Sequence, residues 1–331
     1  MTKKQIKIYN WLISKPGYIK YSYKKALAAA RFKFSEKDLK IARKEANKGI
    51  KTLKKLEPEV GIVKKLEIIK PIKESYLRKL TTPGLYFVFG CVHAPFHHIR
   101  AFKAVNQLLK DNREDIVGIV LAGDFIDANS LSSHDKGKKP LKGVTLDWEY
   151  TESQYLLDSM FEYLSPSVHK VYIYGNHEDR YLRYMSDSDN SKLGEALPSP
   201  ETGLNLKERG FRVFTNWKED YITLGHYLDV SHGEFTNVHT AKKHIDTYRR
   251  STLYYHTHRI QQYIEGQVGG FNGGSMADFS QPVFNYATRA MKSSWLNGFT
   301  AVHIDSDGGY HIQQIMCYNN IFVFGNKIYN Y

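Results

Sequence analysis

Five apolar runs in this 331-residue chain each end abruptly in a cluster of polar residues, and this repeated punctuation restricts the fold more than any other feature. Residues 85–90 lead into Cys91, Val92 and His93. Residues 116–121 lead into Gly123, Asp124, Phe125, Ile126 and Asp127. Residues 171–174 lead into Gly175, Asn176, His177 and Glu178. Residues 227–231 lead into His232 and Gly233, and residues 251–255 into His256, Thr257, His258 and Arg259. Short apolar runs bounded by turn residues read as buried strands, and a glycine such as Gly175 lets the backbone turn where the strand stops. In α/β folds the chemistry collects at such strand tips. A Gly-Asn-His-Glu tetrapeptide by itself is equally an ordinary loop; the ordered set carries the inference. His93, Asp124, Asn176, His232, His256 and His258 are hard or borderline donors. Six of them in loops after strands, with one carboxylate to share, suit two divalent metals held a few Å apart.

The order and the residue types resemble the calcineurin-like metallophosphoesterases, whose pattern runs Asp-x-His, Gly-Asp-x-x-Asp, Gly-Asn-His-Asp/Glu, a lone His, then Gly-His-x-His. The resemblance covers residues 84–260. Softer similarities point to a phage- and bacterial-type branch: Pro95, Phe96 and His97 after the first motif, Ser130, Leu131 and Ser132 after the second, Asp179 and Arg180 after the third, and the late stretch 295–299. The implied fold is α/β, a four-layer sandwich of two mixed β-sheets flanked by helices. The implied cofactors are two divalent metal ions: manganese, zinc or iron. Asp124 would bridge them. His93 and His258 would complete one site, and Asn176, His232 and His256 the other. His177 would bind no metal and would face the leaving group, as a proton donor or a stabiliser of phosphoryl oxygens. Glu178 would orient its imidazole, and Asp127 would support a metal-binding histidine. Arg180 and Arg259 are candidates for phosphate contact, a surface or ion-pair role being equally open for each.

Two residues depart from that pattern. Cys91 stands where the family has a metal-binding Asp. A thiolate ligates zinc or iron well and manganese poorly, so Cys91 is either a ligand that shifts metal preference, a substitution that weakens the first metal, or a packed cysteine. Tyr255 stands where a Gly usually precedes the His-x-His pair.

Charge is distributed very unevenly. Residues 1–80 hold 23 Lys and Arg against 7 Asp and Glu, whereas residues 81–331 hold 24 against 27. The whole net charge of +13 therefore belongs to the first quarter, which points to a basic module for a polyanion joined to a near-neutral body. Residues 4–14 and 24–30 read as helices. Ser35 with Asp38 three residues on reads as the start of a third, whose Leu39, Ala42 and Ala46 share one face. Lys37, Lys40, Lys44 and Lys48 form a basic stripe on the opposite face and, with Arg43, are the candidate nucleic-acid contacts. A helix, a short turn and a basic-faced helix resemble a helix-turn-helix module; a helical hairpin packed on the enzyme is the alternative. The expected organisation is a helix-turn-helix-like module at 1–50, a connector at 51–83 and a catalytic domain at 84–331, with helices at 100–112 and 149–164 and Gly-rich turns at 265–274 and 308–309.

The chain has 42% apolar residues, enough for a sizeable core, and no stretch near the roughly 18 apolar residues of a membrane span. Two cysteines, Cys91 and Cys317, make no disulfide framework. The expected location is the cytoplasm, that of a host if the chain is viral. The expected function is metal-dependent hydrolysis of phosphodiesters in nucleic acid, DNA in the first instance. A phosphatase or cyclic-nucleotide phosphodiesterase is the enzymatic alternative, and a DNA-binding regulator on a degenerate phosphoesterase scaffold the non-enzymatic one. Oligomeric state is not legible.

Overall fold

The computed structural model describes residues 35–42, 44, 78–132, 141, 143–187 and 197–331. The chain divides into two compact units, Met1–Lys73 and Glu74–Tyr331. In the first, residues 36–42 and 44 are helical. The Ser35 hydroxyl oxygen accepts the Asp38 N–H at 3.1 Å and donates to the Asp38 carboxylate at 2.7 Å, a side-chain cap that satisfies a donor at the helix start. Leu39 and Ala42 are buried, while Lys37, Lys40 and Lys44 are exposed. The helices expected at 4–14 and 24–30, and Arg43, Ala46 and Lys48, lie outside the described residues.

The second unit is built on two six-stranded mixed sheets. Strands β1 (Lys79–Leu80), β2 (Gly84–Phe89), β3 (Ile116–Ala122), β4 (His169–Ile173), β5 (Arg212–Phe214), β6 (Ile222–Leu224), β7 (Leu228–Val230), β8 (Ser251–Tyr254), β9 (Ile260–Glu265), β10 (Val268–Gly273), β11 (Gly298–Ile304) and β12 (Tyr310–Met316) follow one another along the chain. One sheet has the order β12-β11-β2-β3-β4-β5, with β2 to β5 parallel and β11 and β12 antiparallel; the other has the order β1-β6-β7-β8-β10-β9. A hairpin of β13 (Ile321–Phe324) and β14 (Lys327–Asn330) ends the chain.

Strand β2 shows why the sheets stack. Successive side chains point to opposite faces. Tyr86 and Val88 join Val120, Ala122, Val171 and Ile173 against Leu224, Val230, Leu253 and Tyr255 of the facing sheet. Leu85, Phe87 and Phe89 point the other way, into a second core shared with the helices. Because both faces are covered, the strand is apolar throughout rather than alternating. Phe89 and Phe299 stack there at 5.1 Å, and truncating either fully buried ring to Ala would cost about 3–5 kcal/mol.

The helices that cover the outer face are α1 (Ile99–Asp111) and α2 (Leu146–Phe161). Helix α1 buries Phe102, Val105, Leu108 and Leu109, and its first turn is capped by the His98 ring, which accepts the Ala101 N–H. Helix α2 starts at Leu146 rather than at 149, because the Thr145 side chain accepts the Trp148 N–H and sets the first turn. The Gly-rich stretch expected as a turn at 265–274 is for the most part strand β10; only its ends turn. Its last glycine, Gly273, is there because a Cβ would lie 2.3 Å from the Tyr255 ring. Among the described residues no helix is long and apolar enough to cross a membrane.

Candidate metal centre

The parallel strands β2, β3 and β4 end side by side, and β7 and β8 of the other sheet end facing them. The five polar clusters therefore meet at one edge of the sandwich. Backbone bonds lock the first two together: the His93 N–H donates to the Asp124 carbonyl at 2.9 Å, and the Ala94 N–H to the Phe125 carbonyl at 2.7 Å. Close packing dictates small residues between them. A Cβ on Gly175 would lie 2.1 Å from Asp124 Oδ1. Cys91, His93, Asp124, His256 and His258 all have φ between 49° and 69°. This left-handed region is costly for residues other than glycine, and such strain persists only where surrounding contacts enforce it.

Asp124 occupies the centre. Its Oδ2 lies 3.3 Å from His232 Nε2 and 3.9 Å from both His93 Nε2 and His177 Nε2. Its Oδ1 accepts the His177 backbone N–H at 2.9 Å. His232 Nε2 is also 3.0 Å from Asn176 Oδ1 and 3.2 Å from His256 Nδ1, while its Nδ1 donates to the Ala122 carbonyl. On the other side His93 Nε2 and His258 Nε2 face one another at 3.0 Å, and His258 Nδ1 is buried with no hydrogen-bond partner among the described residues. Cys91 Sγ accepts the His256 N–H at 3.1 Å. Among the described residues, three groups of donor atoms are close enough to share an ion: Cys91, His93 and His258; Cys91, Asp124 and His232; and His93, Asp124 and His177.

The electrostatics of three of the histidines suit a cation site. His232 differs: burial is outweighed by Asp124, which raises its pKa, so it gives up a proton when it takes a metal. Burial lowers the pKa of His93 and His258, and that of His256 to about 3, with neighbouring histidine charges acting in the same direction. These imidazoles stay neutral and keep a lone pair for a metal. Burial opposes ionisation of Asp124, but the charges of His232 and His177 outweigh it and hold the carboxyl well below its usual range. Burial, then the charge of Asp124, push the Cys91 thiol well up, so its ionisation needs a positive charge beside it. The residues present fit two divalent ions: neutral nitrogens facing each other, a shared carboxylate, an amide oxygen and a thiol that only a cation would ionise.

Surrounding residues hold this set in place. Asp127 Oδ2 is 3.0 Å from His93 Nδ1, and the Asp127 carbonyl is 2.7 Å from His177 Nδ1. Arg180 donates to the Asp127 carbonyl at 2.8 Å and lies 3.2 Å from His177 Nε2. Glu178 does not orient the His177 ring, contrary to the sequence expectation. Its carboxylate is fully used by the backbone N–H groups of Gly175, Asp124, Phe125 and Ile126 and by the Tyr172 hydroxyl. It fixes the loops, and Asp127 positions the imidazole. Arg259 is also directed elsewhere: its guanidinium donates to Ser294 and to the Asn237 carbonyl.

Three contributors were not picked out in the sequence. Glu149, on α2, accepts from Asn129 N–H and from both the N–H and hydroxyl of Ser130, anchoring the loop after Asp127. Trp217 lies 6.1 Å from the His232 ring and 6.0 Å from that of His256. Ser275 donates to the Cys91 carbonyl at 2.7 Å. A carboxylate in the first turn of a helix and a Ser in a Gly-rich stretch give no signal of their own. Tyr255 fills a slot between Gly90 and Gly273, and its hydroxyl donates to the Val88 carbonyl at 2.7 Å.

Residues 86–266, more than half of the chain, match the model of the calcineurin-like phosphoesterase family, and the chain belongs to that family. The family is dinuclear and metal-dependent. No curated protein matches the chain. Among solved structures, Vps29 of Entamoeba histolytica complexed with Zn2+ is 12% identical, over 74% of this chain and 95% of its own, with a TM-score of 0.37. Vps29 of Cryptosporidium parvum is 12% identical, over 70% and 96%, with a TM-score of 0.35. A putative 5′-nucleotidase of Staphylococcus aureus is 11% identical, over 70% and 53%, with a TM-score of 0.37.

Proposed function

We propose that the chain is a metal-dependent phosphodiester hydrolase acting on nucleic acid, with DNA as the expected substrate. The hydrolase rests on one observation: Asp124 Oδ2 lies among the inward nitrogens of His93, His177 and His232 in a buried cluster of metal-ligand type. Nucleic acid is supported by charge, 23 cationic against 7 anionic residues in the first 80, since a basic segment in the same chain as a phosphoester site favours a polyanion.

Cys91, His93 and His258 would hold one ion, Asn176, His232 and His256 the other, and Asp124 both. Two such ions supply charge neutralisation for a phosphodiester and acidify water toward neutral pH. The thiolate of Cys91 favours zinc or iron over manganese in the first position. His177 donates its Nδ1–H to the Asp127 carbonyl and accepts an Arg180 N–H at Nε2, 3.2 Å away, so Nε2 serves the substrate once it exchanges that bond. Protonated there from solvent, it gives that proton to the departing alcohol or, with Arg180, donates to phosphoryl oxygens. Glu178 and Glu149 keep the loops that carry these groups rigid.

The test is turnover of bis-p-nitrophenyl phosphate by the full chain as zinc, iron or manganese is added, followed by competition with single- and double-stranded DNA. Metal-dependent turnover that DNA inhibits supports the reading. Bound metal without turnover would leave a binding scaffold. Inhibition by phosphomonoesters or cyclic nucleotides but not by DNA would make the enzyme a small-molecule esterase.

A further inference from the structure

On the His258 side the rim of the cluster is aromatic. The Phe279 ring stacks on the His258 ring with centroids 5.7 Å apart, and Trp295 meets His258 edge-on at 4.7 Å. Phe284 approaches His93 at 5.5 Å and His258 at 6.3 Å. Phe279 and Trp295 lie 5.0 Å apart, and Tyr286 follows, 6.3 Å beyond Trp295. Exposure rises outward along this ladder, from buried Phe284 through half-buried Trp295 to Tyr286, which is 62% exposed. An exposed tyrosine is ordinary, but the setting of this one is not. Burial, then the charges of Asp127 and Asp124, push its phenol up to about 12. Most of the residue is thus open to solvent, and its phenol feels the charges of the two carboxylates. Arg289 and Lys292 follow on a helical turn, Arg289–Lys292; Arg289 is exposed, and Lys292 donates to the Phe279 carbonyl at 3.1 Å.

On the nucleic-acid reading above, we infer that this rim is a stacking subsite for an unpaired nucleobase, with Tyr286 as the open platform and Trp295 as its backing. Aromatic rings interleaved with cations are how single strands are held without sequence readout, because every base offers a π-face while the cations follow the phosphates. A base inside a duplex has both faces covered by its neighbours. The subsite thus selects a single strand or a frayed end, placing the adjoining phosphodiester at Asp124. A peptide would use the same aromatic surface but would bring no phosphodiester to that carboxylate.

Two phosphodiesters separate base from phosphate: thymidine 5′-(p-nitrophenyl phosphate) and methyl p-nitrophenyl phosphate. They share a leaving group, and only the first carries a base. In the metal-loaded full chain, Tyr286→Ala should lower the ratio of kcat/KM for the thymidine ester over the methyl ester about tenfold, within the range of one lost base stack. Tyr286→Phe keeps the ring and should hold that ratio within about twofold. An unchanged ratio in Tyr286→Ala, or a loss in Tyr286→Phe equal to that in Tyr286→Ala, would overturn the subsite. Binding supplies a readout without turnover. Tetrathymidylate should bind the full chain about tenfold more tightly than an abasic tetramer with the same phosphates, and Tyr286→Ala should abolish that difference. Equal binding of the two by the unaltered chain would also overturn the subsite. If neither ester is hydrolysed with metal bound, the hydrolase reading fails, and the abasic comparison still decides the subsite.

Discussion

Asp127 and His93 meet at 3.0 Å, carboxylate Oδ2 to imidazole Nδ1, in a place where both side chains are almost wholly buried. The carboxylate accepts the Nδ1–H and so turns Nε2 and its lone pair toward Asp124 and His258. Burial opposes the charge on Asp127, but His177, His93 and Arg180 outweigh it and keep the carboxyl far below its ordinary range. Asp127→Asn should weaken metal binding by about 10–100-fold, the usual cost of losing such an outer partner. Titration with zinc or manganese, with circular dichroism to verify the fold, would check this; unchanged affinity would mean that the imidazole is oriented by packing alone.

Asp124 and His177 should separate metal holding from proton handling. Both Asp124→Asn and His177→Ala are expected to cut turnover by at least about 100-fold. Only Asp124→Asn should also lose bound metal, since its Oδ2 lies at the centre of the donor set. Because the His177 backbone N–H also rests on Asp124 Oδ1, metal content after dialysis is the deciding measurement for the pair. Full metal content in Asp124→Asn would remove Asp124 as the bridging ligand.

Replacing Cys91 tests the donor on which sequence reading left three outcomes open. Sγ lies within ligand range of both halves of the cluster. Cys91→Ser should lower zinc or iron affinity, and Cys91→Asp should give a site that takes manganese better. Metal content after equilibration with mixed ions distinguishes them, and the same preference in all three proteins would make the residue packing only.

The positions of the candidate donors were legible because each sits directly beyond an apolar run, so hydrophobic patterning alone located the strand tips. The residues that fix those tips were not. Glu178 was assigned to its neighbour in sequence, yet its oxygens are spent on the backbone of the loop after β3. Which N–H groups need an acceptor depends on loop conformations that only the assembled sheet defines. Gly90 and Gly273 likewise became intelligible only with the Tyr255 ring lying between them.

Glu149 gives a pH prediction. Burial raises its pKa from 4.5 to about 7, against the bonds from Ser130 and Asn129 that favour the anion. A raised carboxyl pKa means that the folded protein holds the proton more tightly than the unfolded chain. Stability should therefore fall as pH rises from about 4.5 to 7, with the full penalty present above that window and absent below it. Glu149→Gln removes this titration. The stability of the native protein relative to the variant should decline across the window by up to about 3 kcal/mol, read from urea unfolding at each pH. A constant difference would show that Glu149 is ionised throughout.

The basic first quarter gives the prediction that separates substrate class from chemistry. Each phosphate neutralised by Lys or Arg releases condensed counterion, so log affinity for duplex DNA should fall with log salt at about −0.9 per phosphate contacted. Removing residues 1–50 takes away much of the excess of 23 cationic over 7 anionic residues in the first 80, and should both weaken DNA binding and flatten that slope. Hydrolysis of bis-p-nitrophenyl phosphate should persist, because the candidate ligands run from Cys91 to His258 and lie in the unit Glu74–Tyr331. Lys40→Glu and Lys44→Glu should act in the same direction, since both side chains are exposed on the helix that Ser35 caps. Circular dichroism must first show the shortened chain folded. If that folded chain then bound DNA as tightly and as salt-sensitively as the whole, the basic segment would be a solvated face, and the cations that hold nucleic acid would have to be sought around the metal centre itself.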